Sequence, residues 1–382
     1  MWSIEPMKKV IVISDSFKGS LSSSAIVRVA RDVLGQFYPN CQVIGLPVAD
    51  GGEGTVDCFL EAVGGERIAV PVTGPWGESV EVCYGRIGDT AVVEMAAAAG
   101  LPMVGERLDP SKTTTYGVGQ LLRHAVEHGA THLILGLGGS ATNDGGCGAA
   151  AAMGVVFRDK AGQSFVPVGE TLGEIASINC TAARALLSGV TVEVMCDIDN
   201  PLCGSQGAAA IFGSQKGADA AMIRQLDHNL GYLARRIETD LGITVSELPG
   251  AGAAGGFGAG AAAFFGAQLR PGIEVVLDLV RFEEQLDGCD LVLTGEGRMD
   301  GQSLGGKVPI GVSRRAKKKQ VPVVAIVGIT GPGIEPIYDE GITAVFSTNR
   351  EALPFAAVRE RGEDDYRRAL TDLMRYTKAI SG

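Results

Sequence analysis

Residues 10–20, VIVISDSFKGS, decide how the chain is read. A short β-favouring run ends at Ser14 and Asp15, a polar glycine turn follows, and apolar positions then recur at helical spacing over 22–36. This is strand, loop, helix. A second unit starts at 42–48, passes through Ala49-Asp50-Gly51-Gly52-Glu53-Gly54 and continues as a helix over 55–62. Two such units in succession predict parallel strands and an α/β fold.

Further along, RIAVPV, ESVEVCYGRI and TAVVEM alternate within 66–95, separated by Gly-Pro-Trp-Gly and Gly-Asp-Thr. That spacing predicts an antiparallel meander and marks a domain boundary. A helix over 115–127, strands at 132–136 and 192–196 and a long helix over 218–241 follow. The parallel style returns with strands at 290–294, 321–327 and 342–346 and a closing helix over 364–380. The expected architecture is a doubly wound parallel-sheet domain from 1–65 and 288–382, with 66–287 inserted as a mixed α/β domain. A chain of 382 residues also exceeds the usual size of one core.

Composition narrows the function. With 46% hydrophobic and 20% charged residues the chain can bury sizeable cores. The 55 glycines, against a usual share of ~7%, show no collagen-like period and point to many special turns. A net charge of -11 gives no footprint for nucleic acid. Eight cysteines without any C-x-x-C pair argue against a zinc knuckle and fit reduced thiols in a cytoplasmic protein. The first residues, MWSIEPMKK, lack the apolar core of a signal peptide, and Met7 offers an alternative start. The uncharged stretch 248–269 is long enough to span a bilayer, but its Gly and Ala content reads as a tightly packed helix entered through a glycine loop.

Two familiar patterns are decoys. Gly301 to Lys307 has P-loop spacing, but position 308 is Val where a magnesium-binding hydroxyl belongs. Lys307 can still meet a phosphate. Gly250-Ala251-Gly252-Ala253-Ala254-Gly255 fits G-x-G-x-x-G without a clear preceding strand, although a helix start there suits an anion.

More telling are loops that join glycine to acid, amide or hydroxyl groups where strands end, the place open α/β sheets bind ligands. Four are Asp15-Ser16-Phe17-Lys18-Gly19-Ser20, Asp50-Gly51-Gly52-Glu53, Gly138-Gly139-Ser140-Ala141-Thr142-Asn143-Asp144 and Glu296-Gly297-Arg298-Met299-Asp300, and beside them Cys196-Asp197-Ile198-Asp199-Asn200 sets two carboxylates and an amide at a strand end without glycine. Capping of turns and helices is the commonest task of such Asp and Asn residues. Five sets together fit phosphoryl transfer better, which needs donors and cations on phosphates, carboxylates on Mg²⁺ and an acceptor for the hydroxyl proton. Acyl transfer fits less well, because His124, His128, His132 and His228 all lie outside these loops.

The blocks DSFKGSL, ADGGEGTVD, GLGGSATNDGG, CDIDNPL, FGSQKGA, LPGAGAAGGFGAG and LTGEGRMDGQS resemble, in order, the bacterial-type glycerate kinase (glycerate 2-kinase) family. The resemblance implies ATP-dependent, Mg²⁺-assisted phosphorylation of D-glycerate to 2-phosphoglycerate and a cleft between two domains. Roles follow from chemistry alone. Asp197 is read as base or metal ligand, with Asp199 or Asp300 sharing the metal. Lys18 and Arg298 meet the phosphates or the glycerate carboxylate. Asp15, Ser16, Asp50, Glu53, Ser140, Asn143, Asp144, Glu296 and Lys307 complete the binding set. Gly138, Gly139, Gly252, Gly255 and Gly256 allow close approach to nucleotide phosphates. A nicotinamide-dependent hydroxy-acid oxidoreductase and a catalytically idle nucleotide-binding protein are the rival readings. Nucleic acid and membrane are not expected partners, and there is room for a homodimer.

Overall fold

The computed structural model describes residues 7–49, 51–351 and 353–381. They fall into two compact units. One takes the chain up to Ala49, Glu61–Val63 and the stretch from Ile273 onward; the other takes the stretch through Leu60 and Gly64–Gly272.

The first unit is built on a five-stranded sheet in the order Ile342–Ser347, Val323–Val327, Leu291–Thr294, Lys9–Val12, Gln42–Gly45. Every pairing in it is parallel, with Val10 opposite Leu291 on one side and Val43 on the other. Alternate residues face opposite sides, so Val10, Val12, Leu291 and Leu293 enter a core with the helices Ser23–Phe37 and Gly362–Ser381, while Ile11 and Val292 are equally buried. Both faces are therefore covered, as the doubly wound reading expects. The helix Ser23–Phe37 starts where Ser22 accepts a hydrogen bond from the Ala25 N–H.

The second unit holds a six-stranded sheet, Gln268–Arg270, Thr191–Met195, His132–Gly136, Thr90–Glu94, Ser79–Ile87, Glu66–Thr73. Its first four strands are parallel and its last two antiparallel. The expected meander forms that antiparallel edge. Phe157, Phe257 and Phe264 lie in its core, and the stretch read as a packed helix is Ala253–Phe265. No helix among the described residues is long and apolar enough to cross a membrane.

The unit boundaries fall earlier than the sequence expectation, at 49 rather than 65 and at 272 rather than 287. Backbone contact explains the first shift, because Gly51 lies against Gly136 and its C=O accepts from the Gly138 N–H at 2.9 Å. A buried cation explains the second. Arg315 donates to Asp278 at 2.7 Å and to Glu283 at 3.0 Å and also pairs with Glu274, tying 273–287 to the helix Val308–Lys318.

Candidate active site

In the first unit the strands Lys9–Val12 and Leu291–Thr294 are neighbours from which the strand order runs outward in opposite directions. This is the topological switch point, where the loops leaving two adjacent strands part and open a crevice. The Asp15 N–H donates to the Gly295 C=O at 3.0 Å, fixing the two loops side by side. Position 295 must be glycine, because a Cβ there would strike the Ile326 carbonyl.

The crevice is a pocket of about 540 Å³ lined by Asp15, Ser16, Lys18, Glu296, Arg298 and Lys307, among others. Six residues singled out from two separated loops and a decoy motif thus share one cavity. Glu296 is only 4% exposed, and its Oε2 accepts from Lys307 Nζ at 3.2 Å while Oε1 has no hydrogen-bond partner. Burial, and then the nearby negative charge of Asp15, push the Glu296 carboxyl above its ordinary value against the pull of Ser303 and Lys307. A buried, unpaired carboxylate oxygen costs stability unless something binds it. Lys18 and Arg298 are exposed on the same cavity.

Asp300 is used differently. Its Oδ1 accepts from the Gln302 N–H at 3.0 Å and its Oδ2 from Arg298 Nε at 2.9 Å, so it caps the 3₁₀ turn Gly301–Gly305 and holds Arg298. The P-loop spacing is likewise no P-loop. Gly301–Gly305 is that 3₁₀ turn, and Lys307 stands at the N-cap of the helix Val308–Lys318 with its ammonium on Glu296. The missed residues here are Thr348 and Asn349, which line the same pocket where the strand Ile342–Ser347 ends. The rule that pointed to the other loops applied to them too.

In the second unit the glycine loop 137–146 follows the strand His132–Gly136, and its glycines serve backbone crossing. A Cβ on Gly138 would lie 2.5 Å from Gly52 Cα, and one on Gly255 would lie 2.6 Å from Asn143 Cα. Gly252 lies likewise on Pro201, and Gly256 on Leu202 and Leu230. Gly139, at φ 73°, makes its turn without such a close backbone approach. No strand leads into Gly250, so the dinucleotide fingerprint lacks its structural setting and the oxidoreductase reading loses its support.

Asp144 is fully buried and accepts from the Thr115 N–H at 2.8 Å, the Thr115 hydroxyl at 2.8 Å, the Gly146 N–H at 3.1 Å and the Gly148 N–H at 3.2 Å. Both of its oxygens therefore hold the loop together. Asn143 is buried with neither amide atom partnered, and the Thr142 hydroxyl is in the same condition. A residue that sequence reasoning passed over sits beside them: Lys216, buried, donates from Nζ to Ser140 Oγ and to the Thr142 C=O, each at 2.7 Å.

Asp197 and Asp199 are exposed just beyond the strand Thr191–Met195, and Asp197 Oδ1 accepts from the Gly272 N–H at 2.7 Å. Glu53 is exposed, and Asp50 lies outside the described residues. Among the described residues no three His, Cys, Asp or Glu side chains converge to hold a metal ion. The histidines at 124 and 128 instead stack ring on ring at 3.9 Å.

A charged pocket at the switch point of a parallel sheet is where an α/β protein binds a small anionic ligand. The comparison with known proteins is more specific. The model of the glycerate kinase family matches residues 10–378. The chain is 46% identical to the glycerate kinase of Bacillus cereus over 89% of its length and 90% of that protein. It is 45% identical to the glycerate 2-kinase of Escherichia coli K12 over 89% of its length and 90% of that protein. A crystal structure from Salmonella typhimurium LT2, assigned as glycerate kinase 2, superposes with a TM-score of 0.85 at 42% identity, covering 98% of this chain and 99% of that one. The chain belongs to the glycerate kinase family.

Proposed function

We propose that the protein transfers the γ-phosphoryl group of ATP to the 2-hydroxyl of D-glycerate, giving 2-phosphoglycerate and ADP with Mg²⁺ as cofactor. The observation that carries this reading is the switch-point pocket, which combines a buried carboxylate having one unpartnered oxygen with three cationic side chains. Family membership supports glycerate, and the name of the Escherichia coli relative supports the 2-position.

Glu296 is the base. Its unpartnered Oε1 accepts the hydroxyl proton as the acceptor oxygen bonds to phosphorus and the bond to the ADP oxygen breaks. Lys307 holds the other oxygen in place. Lys18 and Arg298 bind the carboxylate of glycerate or the transferring phosphoryl oxygens, and Asp300 aims the guanidinium for that task. One or two protein carboxylates suffice to hold Mg²⁺ that accompanies a nucleotide. Asp197 and Asp199, exposed at a strand end, would hold it, and it would neutralise phosphate charge.

Phosphorus NMR of the reaction tests this assignment. The expected outcome is 2-phosphoglycerate in equal amount to ADP. Phosphate on the 3-hydroxyl, or ADP with free phosphate only, would contradict it.

A further inference from the structure

Lys216 has no part in the chemistry above, yet it is a buried amine with no carboxylate bonded to it. It ends the 3₁₀ turn Ser214–Lys216, is 2% exposed, and reaches the loop that follows the strand His132–Gly136. Its Nζ has two acceptors, Ser140 Oγ and the Thr142 C=O. A neutral amine has two N–H donors and an ammonium three. The packed loop therefore satisfies the neutral form and leaves the charged form one donor over. Burial lowers its pKa from 10.5 to about 7, with Asp144 pulling the other way. Asp144 is the one charged group whose field reaches the amine among the described residues, and neither the helix Ala208–Phe212 nor the turn that carries Lys216 holds another charge.

The loop is also short of partners in a second way. Asn143 Oδ1 and Nδ2 and the Thr142 hydroxyl are buried without a hydrogen bond, although native interiors leave few such atoms unpaired. Ser140, whose oxygen is taken by Lys216, keeps its own O–H to donate. The same few residues thus hold several unspent donors, the pattern of a site for a phosphate oxyanion.

We propose that Lys216 is a positioning residue that couples this loop to a phosphate group of the nucleotide, taking up a proton from solvent as the phosphate docks against Ser140 and Asn143. The ammonium formed on docking keeps its bonds to Ser140 and Thr142 and gives its third N–H to the oxyanion. Lys216 acts through the loop and has no role in moving the hydroxyl proton. The inference rests on the kinase reading for the identity of the phosphate-bearing ligand.

Calorimetric titration of the whole protein with MgADP and MgATP at pH 8, in two buffers of different ionisation heat, measures the protons exchanged. Both nucleotides have by then lost their own titrating proton, since phosphate titrates near pH ~6. Nucleotide binding is expected to draw in roughly half a proton or more, because a group with a pKa of about 7 is mostly neutral at that pH until an anion arrives. D-Glycerate alone should draw in none. In Lys216→Met the uptake should vanish and nucleotide affinity fall about tenfold or more. In Lys216→Arg binding should proceed without uptake, as guanidinium is always charged. Should Lys216→Met fail to fold, the wild-type titration decides by itself. Nucleotide binding without proton uptake overturns the role of Lys216 while leaving the kinase reading intact, as does uptake that persists in Lys216→Met or that follows D-glycerate instead. Absence of any nucleotide binding overturns both.

Discussion

The two units use glycine for opposite ends. In the first, Gly295 lets two loops lie close enough for charged side chains to share one open pocket. In the second, Gly138, Gly252 and Gly255 let backbone cross backbone, and the polar groups nearby are gathered inside the packed loop rather than around an open pocket. Glycine richness alone therefore does not separate a ligand cradle from a close-packed crossing. What separates them is where the neighbouring side chains point.

That contrast can be broken by substitution. Gly255→Ala puts a Cβ against the backbone of Thr142 and Asn143 at a φ of 66°, a conformation L residues avoid. A loss of about 3–5 kcal/mol in folding free energy is expected, read as a lowered denaturant midpoint. A variant as stable as wild type would show that the crossing is loose.

Glu296→Gln should behave in the reverse way. Its stability should hold or rise, since a carboxylate with one unpartnered oxygen is removed from a buried site. Its kcat should fall by roughly 10²- to 10³-fold, the scale of losing a general base. The base works only when ionised, so activity is lost as pH falls through its folded pKa. Because that value is raised above 4.5, the acid limb of the kcat/KM profile should lie at higher pH than for an ordinary glutamate, and it should be missing in the variant. Lys18→Ala, removing one exposed cation of the pocket, is the mildest of the three: about a tenfold loss in kcat/KM, matching one charge-assisted contact. An unchanged kcat/KM would take Lys18 out of the site.

Much of this was legible in the sequence, for physical reasons. Apolar runs such as 10–14 and 290–294 are strands because both faces of a parallel sheet are buried, and the alternation over 66–95 marks the antiparallel edge. The rule that ligands bind beyond strand ends then located Asp15, Lys18, Glu296 and Arg298, which the fold places on one pocket. Three things were not legible. Asp144 and Asp300 have the composition of ligand carboxylates and serve as internal caps, because hydrogen-bond partners within a loop leave no periodic trace. Lys307 sits in a pattern that suggests a phosphate loop, whereas its ammonium lies on a glutamate eleven positions earlier. Lys216 is a lone lysine in a polar turn, and only tertiary packing shows that its amine is buried on Ser140 and Thr142.

The family membership and the pocket meet in one claim, that ATP is spent on D-glycerate. Steady-state ATP consumption by the purified protein tests it most directly, with Mg²⁺, D-glycerate and ATP each omitted in turn. Turnover is expected only when all three are present. Consumption of ATP at the same rate without D-glycerate, or none with all three present, would contradict it.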